Sequence, residues 1–290
     1  MIKGLFLSLR PKQWSKNVII FFGLIFSMNL FNSRMLVTTI AAFAVFCVLS
    51  SVVYIVNDIA DLEKDRLHPL KRHRPLASGM ISPRIAALVA AAMLALGLLS
   101  AFTIGLGFGL VATLYLLLMF AYSFGLKHLV IIDVFVIAGG FVLRAVAGAV
   151  AIDVPISPWL YVCTVLGALF IGFGKRRHEL ILLNDDATKH RRILEEYSPA
   201  MLDQMMTIVT ATTVMAYSLY TFTAENLPSN HAMMATIPFV LYGVFRYLYL
   251  VHLKNHGGSP EEMILRDGPL ALDAFLWIAT AIAVLYFFRD

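Results

Sequence analysis

The sequence predicts an all-α integral membrane protein, a bundle of nine transmembrane helices with the N-terminus inside and the C-terminus outside. Three observations carry that reading. The 290-residue chain is 60% hydrophobic and only 14% charged, with a mean hydropathy of +0.80, far from the balance of soluble domains. Apolar runs long enough to cross a bilayer recur along the whole length, each near the 20 or so residues that a crossing requires. Finally, 19 of the 23 basic residues fall in segments that alternate to one common face, which the bias of Lys and Arg toward inner loops identifies as cytoplasmic.

Taken in order, the N-terminal stretch carries Lys3, Arg10, Lys12 and Lys16 around Trp14, and no small-residue cleavage site precedes the first apolar run. It is expected to be an interfacial anchor rather than a removable signal. Spans are then expected at 17–31, which is short, and at 35–57, with Arg34 in the outer turn between them. A polar inner loop, 58–82, leads to spans 83–103 and 105–124, joined by little more than TIGLG. A short inner connection at Lys127 precedes span 130–152, and span 158–174 runs into the charged inner segment 175–204. Spans 205–223, 233–252 and 269–288 complete the set, the last two separated by the Gly/Pro-rich inner loop 253–268.

Only Arg34 and Arg289 stand on the outer side, and Arg144 and Arg246 lie within spans. Length and charge therefore gather on one face of a single membrane domain, 1–290. Loops held by a rigid scaffold carry function, so the site is expected on the cytoplasmic face of the inner membrane. The pI of about 9.2 follows from membrane orientation and an anionic ligand, and nucleic acid is not needed to explain it. Cys47 and Cys163 sit inside apolar runs without CxxC spacing and read as small core residues.

The chemistry centres on NDIADLEKD, 57–65. It follows directly on an apolar run, and helical spacing places Asn57, Asp58, Asp61 and Asp65 on roughly one face,. Like charges so arranged repel, and ionisable groups at a membrane edge are costly and usually functional. A solvated helix end is the bland alternative. Three aspartates and an amide are also the hard-oxygen donors that Mg²⁺ accepts, with substrate phosphates completing its shell. The next stretch, LHPLKRHRPLASG, supplies Lys71, Arg72 and Arg74 within ten residues. Carboxylates for a metal beside guanidinium forks for phosphate oxygens are what a Mg²⁺–diphosphate ligand needs.

Further along, YSFGLKHLVIID places Tyr122, Lys127 and Asp133 around a short inner turn, where each could equally be an interfacial anchor,. Arg144 lies about a dozen residues into its span and is either a cavity cation or a structural partner. GKRRHE places Lys175, Arg176 and Glu179 at the membrane edge, and charges from Asp185 to Glu196 read as solvated surface. GGSPEEMILRD is either a cap over the site or a linker. A nucleophile elbow, P-loop, HExxH and GxGxxG are all missing from the sequence, so covalent catalysis finds no support.

Nine spans, NDxxDxxxD after the second and YxxxLKxxxxxD after the fourth resemble the UbiA superfamily of intramembrane prenyltransferases across essentially the whole chain. The resemblance implies a UbiA-like bundle around a cavity open sideways to lipid, with Mg²⁺ and diphosphate at its cytoplasmic mouth. Members of that family carry a second aspartate-rich motif after the sixth helix. Here KRRHE stands in its place, with Asp185 and Asp186 a few residues too late. Together with RPKQWSKN and GGSPEEMILRD, this resembles the decaprenyl-phosphate phosphoribosyltransferase branch.

That branch implies 5-phosphoribosyl 1-diphosphate as donor, polyprenyl phosphate as acceptor, and supply of a lipid-linked arabinose precursor for the cell envelope. The implied roles are Asn57, Asp58, Asp61 and Asp65 on Mg²⁺, and Lys16, Lys71, Arg72, Arg74 and Lys127 on phosphates. Arg144, Lys175, Arg176 and Glu179 would place the ribose, its 5-phosphate or the acceptor phosphate, with Tyr122 and Asp133 lining the same site. The polyprenyl tail would lie against membrane lipid, and a homo-oligomer is compatible with the resemblance. Two competing readings are prenyl transfer from a polyprenyl diphosphate to an aromatic or other small acceptor, and a transporter that releases no diphosphate.

Overall fold

The computed structural model describes residues 2–69, 71–183, 192–224, 227–254, 263 and 266–287. Every regular element among them is helical. Eight stretches are long and apolar enough to cross a membrane, and they match the second to ninth expected spans. Seven are α3 (Ser33–Ala60), α5 (Pro83–Ile104), α6 (Leu106–Phe124), α7 (Ile132–Ala151), α8 (Pro158–Leu183), α9 (Pro199–Thr223) and α11 (Gly268–Phe287). The eighth joins a 3₁₀ turn, Ala232–Thr236, to α10 (Ile237–Leu253). Shorter helices are α1 (Ile2–Ser8), α2 (Phe21–Phe26) and α4 (Leu62–Leu67). The chain divides into two compact units: residues 1–24 with 30–155, and residues 25–29 with 156–290.

In the first unit, α3 is the central helix. The Asn32 side chain accepts a hydrogen bond from the Met35 N–H and starts it, as an N-cap should. Its 28 residues extend roughly 42 Å at 1.5 Å each, longer than a bilayer's hydrocarbon, so its polar last turn can stand at an interface. Ser82 caps α5, with Pro83 at the first helical position,. Phe46 of α3, Phe108 and Tyr115 of α6 stack at 5.2–5.7 Å in a core shared with α7. A second core joins Val52 and Ile55 of α3, Ala86 and Ala90 of α5, and Leu76 and Ile81 of the loop between α4 and α5. That loop is thus anchored by its own apolar side chains.

The expected span 17–31 is built differently. Pro11–Ile20 winds as a 3₁₀ helix and α2 follows it, so no single long helix forms there. The cause is close backbone contact with α7. A Cβ on Gly148 would stand 2.0 Å from the Ile20 carbonyl oxygen, and one on Gly23 would stand 2.9 Å from the Ala149 nitrogen. Only glycine permits such an approach. The buried Asn17 amide donates to Ser50 Oγ (3.2 Å) and Cys47 Sγ (3.4 Å) of α3 and accepts from Arg144 Nε of α7 (2.8 Å). Arg144 also donates to the Tyr115 hydroxyl at 2.8 Å and lies over the Tyr115 and Phe141 rings. Sideways bonds of this kind hold a tight winding that a free chain seldom keeps beyond three or four residues.

In the second unit, α8 to α11 pack around Tyr217, Tyr220, Met233, Ala281 and Val284. Tyr217 joins the Thr236 hydroxyl at 2.6 Å and accepts from Trp277 Nε1 at 2.7 Å. At the opposite end of the helices, Arg177 of α8 pairs with Asp203 of α9, which His252 of α10 also meets at 3.1 Å. Arg246 makes a two-pronged pair with Asp267 (3.1 and 2.8 Å), and Asp267 Oδ1 caps α11 by accepting from the Leu270 N–H. Arg246, a charge within a span, finds its partner in the loop before α11.

Candidate active site

The end of α3 and the turn after it set the acids. Asp58 lies in the last turn of α3, buried to 2% exposure. Asp61 breaks the helix, and α4 restarts at Leu62 to carry Asp65, which is also buried. Each acid receives a cation from a different segment. Arg74, in the loop anchored by Leu76 and Ile81, donates from one nitrogen to Asp58 Oδ1 (3.0 Å) and Asp65 Oδ2 (2.6 Å). Arg10 donates to the same Asp58 Oδ1. Lys127, buried in the turn between α6 and α7, donates to Asp61 Oδ1 at 2.7 Å. Asp58 Oδ2 is buried with no hydrogen-bond partner among the described residues.

Arg10, which sequence reasoning left as a mere anchor, is brought onto the acids by the fold. Its segment is strapped along one face of α3: Trp14 Nε1 donates to Ser51 Oγ (3.0 Å), which donates in turn to the Leu9 carbonyl (3.0 Å). The guanidinium lies 5.1 Å over the Tyr54 ring on its way to Asp58. Burial lowers the Arg10 pKa and the Asp58 carboxylate works against that shift; the group stays charged. Arg10 has φ 52°, and Ile131, immediately before α7, has φ 68°. Non-glycine residues hold that region only where surroundings force it, commonly beside functional sites.

The other expected site residues divide. Asn57 is half-buried beside Asp58, and Asp133 is fully buried in the first turn of α7. Tyr122 packs half-buried against the α3–α6–α7 core. Lys71 and Arg72 share the KRHRP stretch with Arg74, yet Arg72 is exposed and bonds His73 (3.4 Å) rather than an acid. Lys16 is engaged by Gln13, and Arg144 belongs to the Asn17–Tyr115 network rather than to the acids. In the second unit, buried Arg176 pairs with Glu179 at 2.7 Å, with Lys175 on the preceding turn position. Asp185 and Asp186 lie outside the described residues.

Among the described residues no three acidic, His or Cys side chains converge closely enough to share one ion. The donor chemistry nevertheless suits a hard divalent cation. The acids Asp58, Asp61 and Asp65 each commit one oxygen to a cation, and the buried, unpartnered Asp58 Oδ2 has the unmet need that a metal ion satisfies,. The same cations are suited to anionic oxygens. The arrangement can hold a metal and a polyanion side by side.

Comparison with known proteins agrees in fold and sequence. A Corynebacterium glutamicum relative called decaprenyl-phosphate phosphoribosyltransferase is 34% identical, covering 98% of this chain and 87% of its own. A Mycobacterium tuberculosis relative of the same name is 33% identical, over 99% and 96%. Among solved structures, a UbiA homolog from Archaeoglobus fulgidus bound to GPP and Mg²⁺ superposes with a TM-score of 0.73 at 21% identity, covering 97% of this chain and 99% of that one. The profile of the UbiA prenyltransferase family matches residues 17–279. With the acidic turn, its cations and the all-helical membrane fold in register with that match, the chain belongs to the UbiA prenyltransferase family.

Proposed function

We propose that this protein transfers 5-phosphoribosyl from 5-phosphoribosyl 1-diphosphate to a polyprenyl phosphate of the decaprenyl type, releasing diphosphate, and so supplies lipid-linked arabinose synthesis for the cell envelope. The observation that carries the proposal is the matched set at the end of α3, three acids each held by a cation from a separate segment. The named relatives, which align over nearly the whole chain, support the choice of donor. So does KRRHE, which supplies Lys175 and Arg176 where the family's usual pattern has acids. A donor with phosphate at both ends calls for that surplus.

Asn57, Asp58, Asp61 and Asp65 would hold Mg²⁺, which when bound stabilises the charge gathering on the departing diphosphate. Arg10, Arg74 and Lys127 bind diphosphate oxygens and fix the anomeric carbon at the mouth of the site. The bond from that carbon to the diphosphate oxygen breaks, leaving an oxocarbenium-like ribose, and an acceptor phosphate oxygen forms the new bond. The acceptor is already anionic, so no strong base is required. Lys16, Lys71, Arg72, Tyr122 and Asp133 complete the donor side. Lys175, Arg176 and Glu179 would orient the ribose 5-phosphate or the acceptor, and Arg144 braces the 3₁₀ segment through Asn17. The site faces the cytoplasm from the inner membrane, and the polyprenyl tail lies against lipid.

Prenyl transfer to a small acceptor is the second reading, favoured by the family's name and by the GPP in the Archaeoglobus structure. Purified protein with Mg²⁺ and polyprenyl phosphate should release diphosphate from phosphoribosyl diphosphate. Consumption of prenyl diphosphate instead would favour the second reading.

A further inference from the structure

We infer that Arg74 and Lys127 are exchange cations: they neutralise the acids in the arrangement described above and move to diphosphate oxygens when a divalent metal takes the carboxylates. This rests on the reading that the site holds a metal and a diphosphate, and not on which group is transferred. The geometry sets the two arrangements in competition. Arg74 bridges Asp58 Oδ1 and Asp65 Oδ2, and among the described residues the acids so held do not converge closely enough to share one ion, so drawing them onto a metal must break that bridge. Lys127 stands in the same relation to Asp61.

Arg74 can move without unfolding its segment. The Arg74 loop is anchored independently of its guanidinium by Leu76 and Ile81, at 1% and 2% exposure in the second core. Its backbone is also tied at both sides, by the Arg74 N–H to the Lys71 carbonyl and the Ser78 N–H to the Arg74 carbonyl. The guanidinium side chain is 25% exposed and so borders open space into which it can swing. Arg10 is the fixed member: the straps from Trp14 and Leu9 to Ser51 hold it against α3 whatever Arg74 does.

In these ion pairs three acids and three cations cancel. A metal alone meets the cations as repulsion, and a diphosphate alone meets the acids in the same way. Together each ligand takes the partner the other frees, so binding of one promotes the other. Coupling between ligands is typically about 5- to 150-fold.

The test measures each ligand by itself on full-length protein in detergent. Mn²⁺ binding is followed by electron paramagnetic resonance, and inorganic diphosphate binding, in the presence of a chelator, by calorimetry. Arg74→Gln is expected to bind Mn²⁺ alone about 5-fold or more tightly, and diphosphate alone about 10-fold more weakly, than wild type. Arg74→Lys should stay near wild type for Mn²⁺, and Arg84→Gln, on exposed α5 surface, should change neither. Shifts of the same sign for both ligands, or an unchanged Mn²⁺ affinity, would overturn the exchange, since a merely structural role weakens both. Wild-type protein that binds neither probe would overturn the metal–diphosphate reading itself. If Arg74→Gln does not fold, Lys127→Gln must show the same opposed shifts through Asp61.

Discussion

At Asp58, two guanidinium groups meet one carboxylate oxygen while the other oxygen is left buried and unpartnered. A buried carboxylate oxygen without a partner is costly until a donor or a cation reaches it. Asp58→Asn and Asp61→Asn should therefore each lower activity by roughly 100-fold or more, since a metal's charge stabilisation is worth several kcal/mol. The variants should keep the wild-type circular dichroism spectrum and elution volume. Arg10→Gln removes one of the two guanidiniums on Asp58 and should cost about 10- to 100-fold in kcat/KM, measured by diphosphate release. The acids were legible from sequence because helical spacing alone puts them on one face. Arg10 was not: its partner lies 48 residues away, and a lone inner-face arginine looks like a topology determinant. Arg72 and Arg74 look interchangeable in KRHRP. Burial of Leu76 and Ile81 settles which of the two turns inward, and only the folded loop displays it.

At the level of elements, the broken first segment is the part that hydropathy misjudged. Apolar composition counts residues that lipid would accept, and it does not see the contact of Ile20 with Gly148 or of Gly23 with Ala149. Those contacts and the Asn17–Arg144 bond hold the 3₁₀ turn, and with it the strap that delivers Arg10. Gly148→Ala should force the Ile20 backbone away, with a cost of about 1–3 kcal/mol from overpacking and a lower Tm by thermal-shift assay. Gly105→Ala is the contrast: nothing lies within 4 Å of its Cβ and its φ of 169° is extended backbone, so stability should be unchanged. The remaining eight spans were legible because each is a long apolar run between polar ends, where length leaves little choice.

Across the whole molecule, the Lys/Arg distribution predicts that the acidic turn faces the cytoplasm, an expectation that labelling tests. Cysteine introduced by Lys64→Cys, in a background with Cys47→Ala and Cys163→Ala, should resist a membrane-impermeant maleimide in intact cells and react in inverted vesicles. The outer-loop Asp153→Cys should do the reverse. Removal of divalent ions by a chelator should abolish turnover, and Mg²⁺ should restore it. The donor itself was read from what the sequence lacks, a second aspartate motif, and from the cations that replace it. The most direct measurement follows ribose into lipid. Protein supplied with Mg²⁺, polyprenyl phosphate and ribose-labelled 5-phosphoribosyl 1-diphosphate should carry the label into the organic phase, and Asp61→Asn should not. Label that stays in water, while a prenyl diphosphate is consumed under the same conditions, would contradict the account.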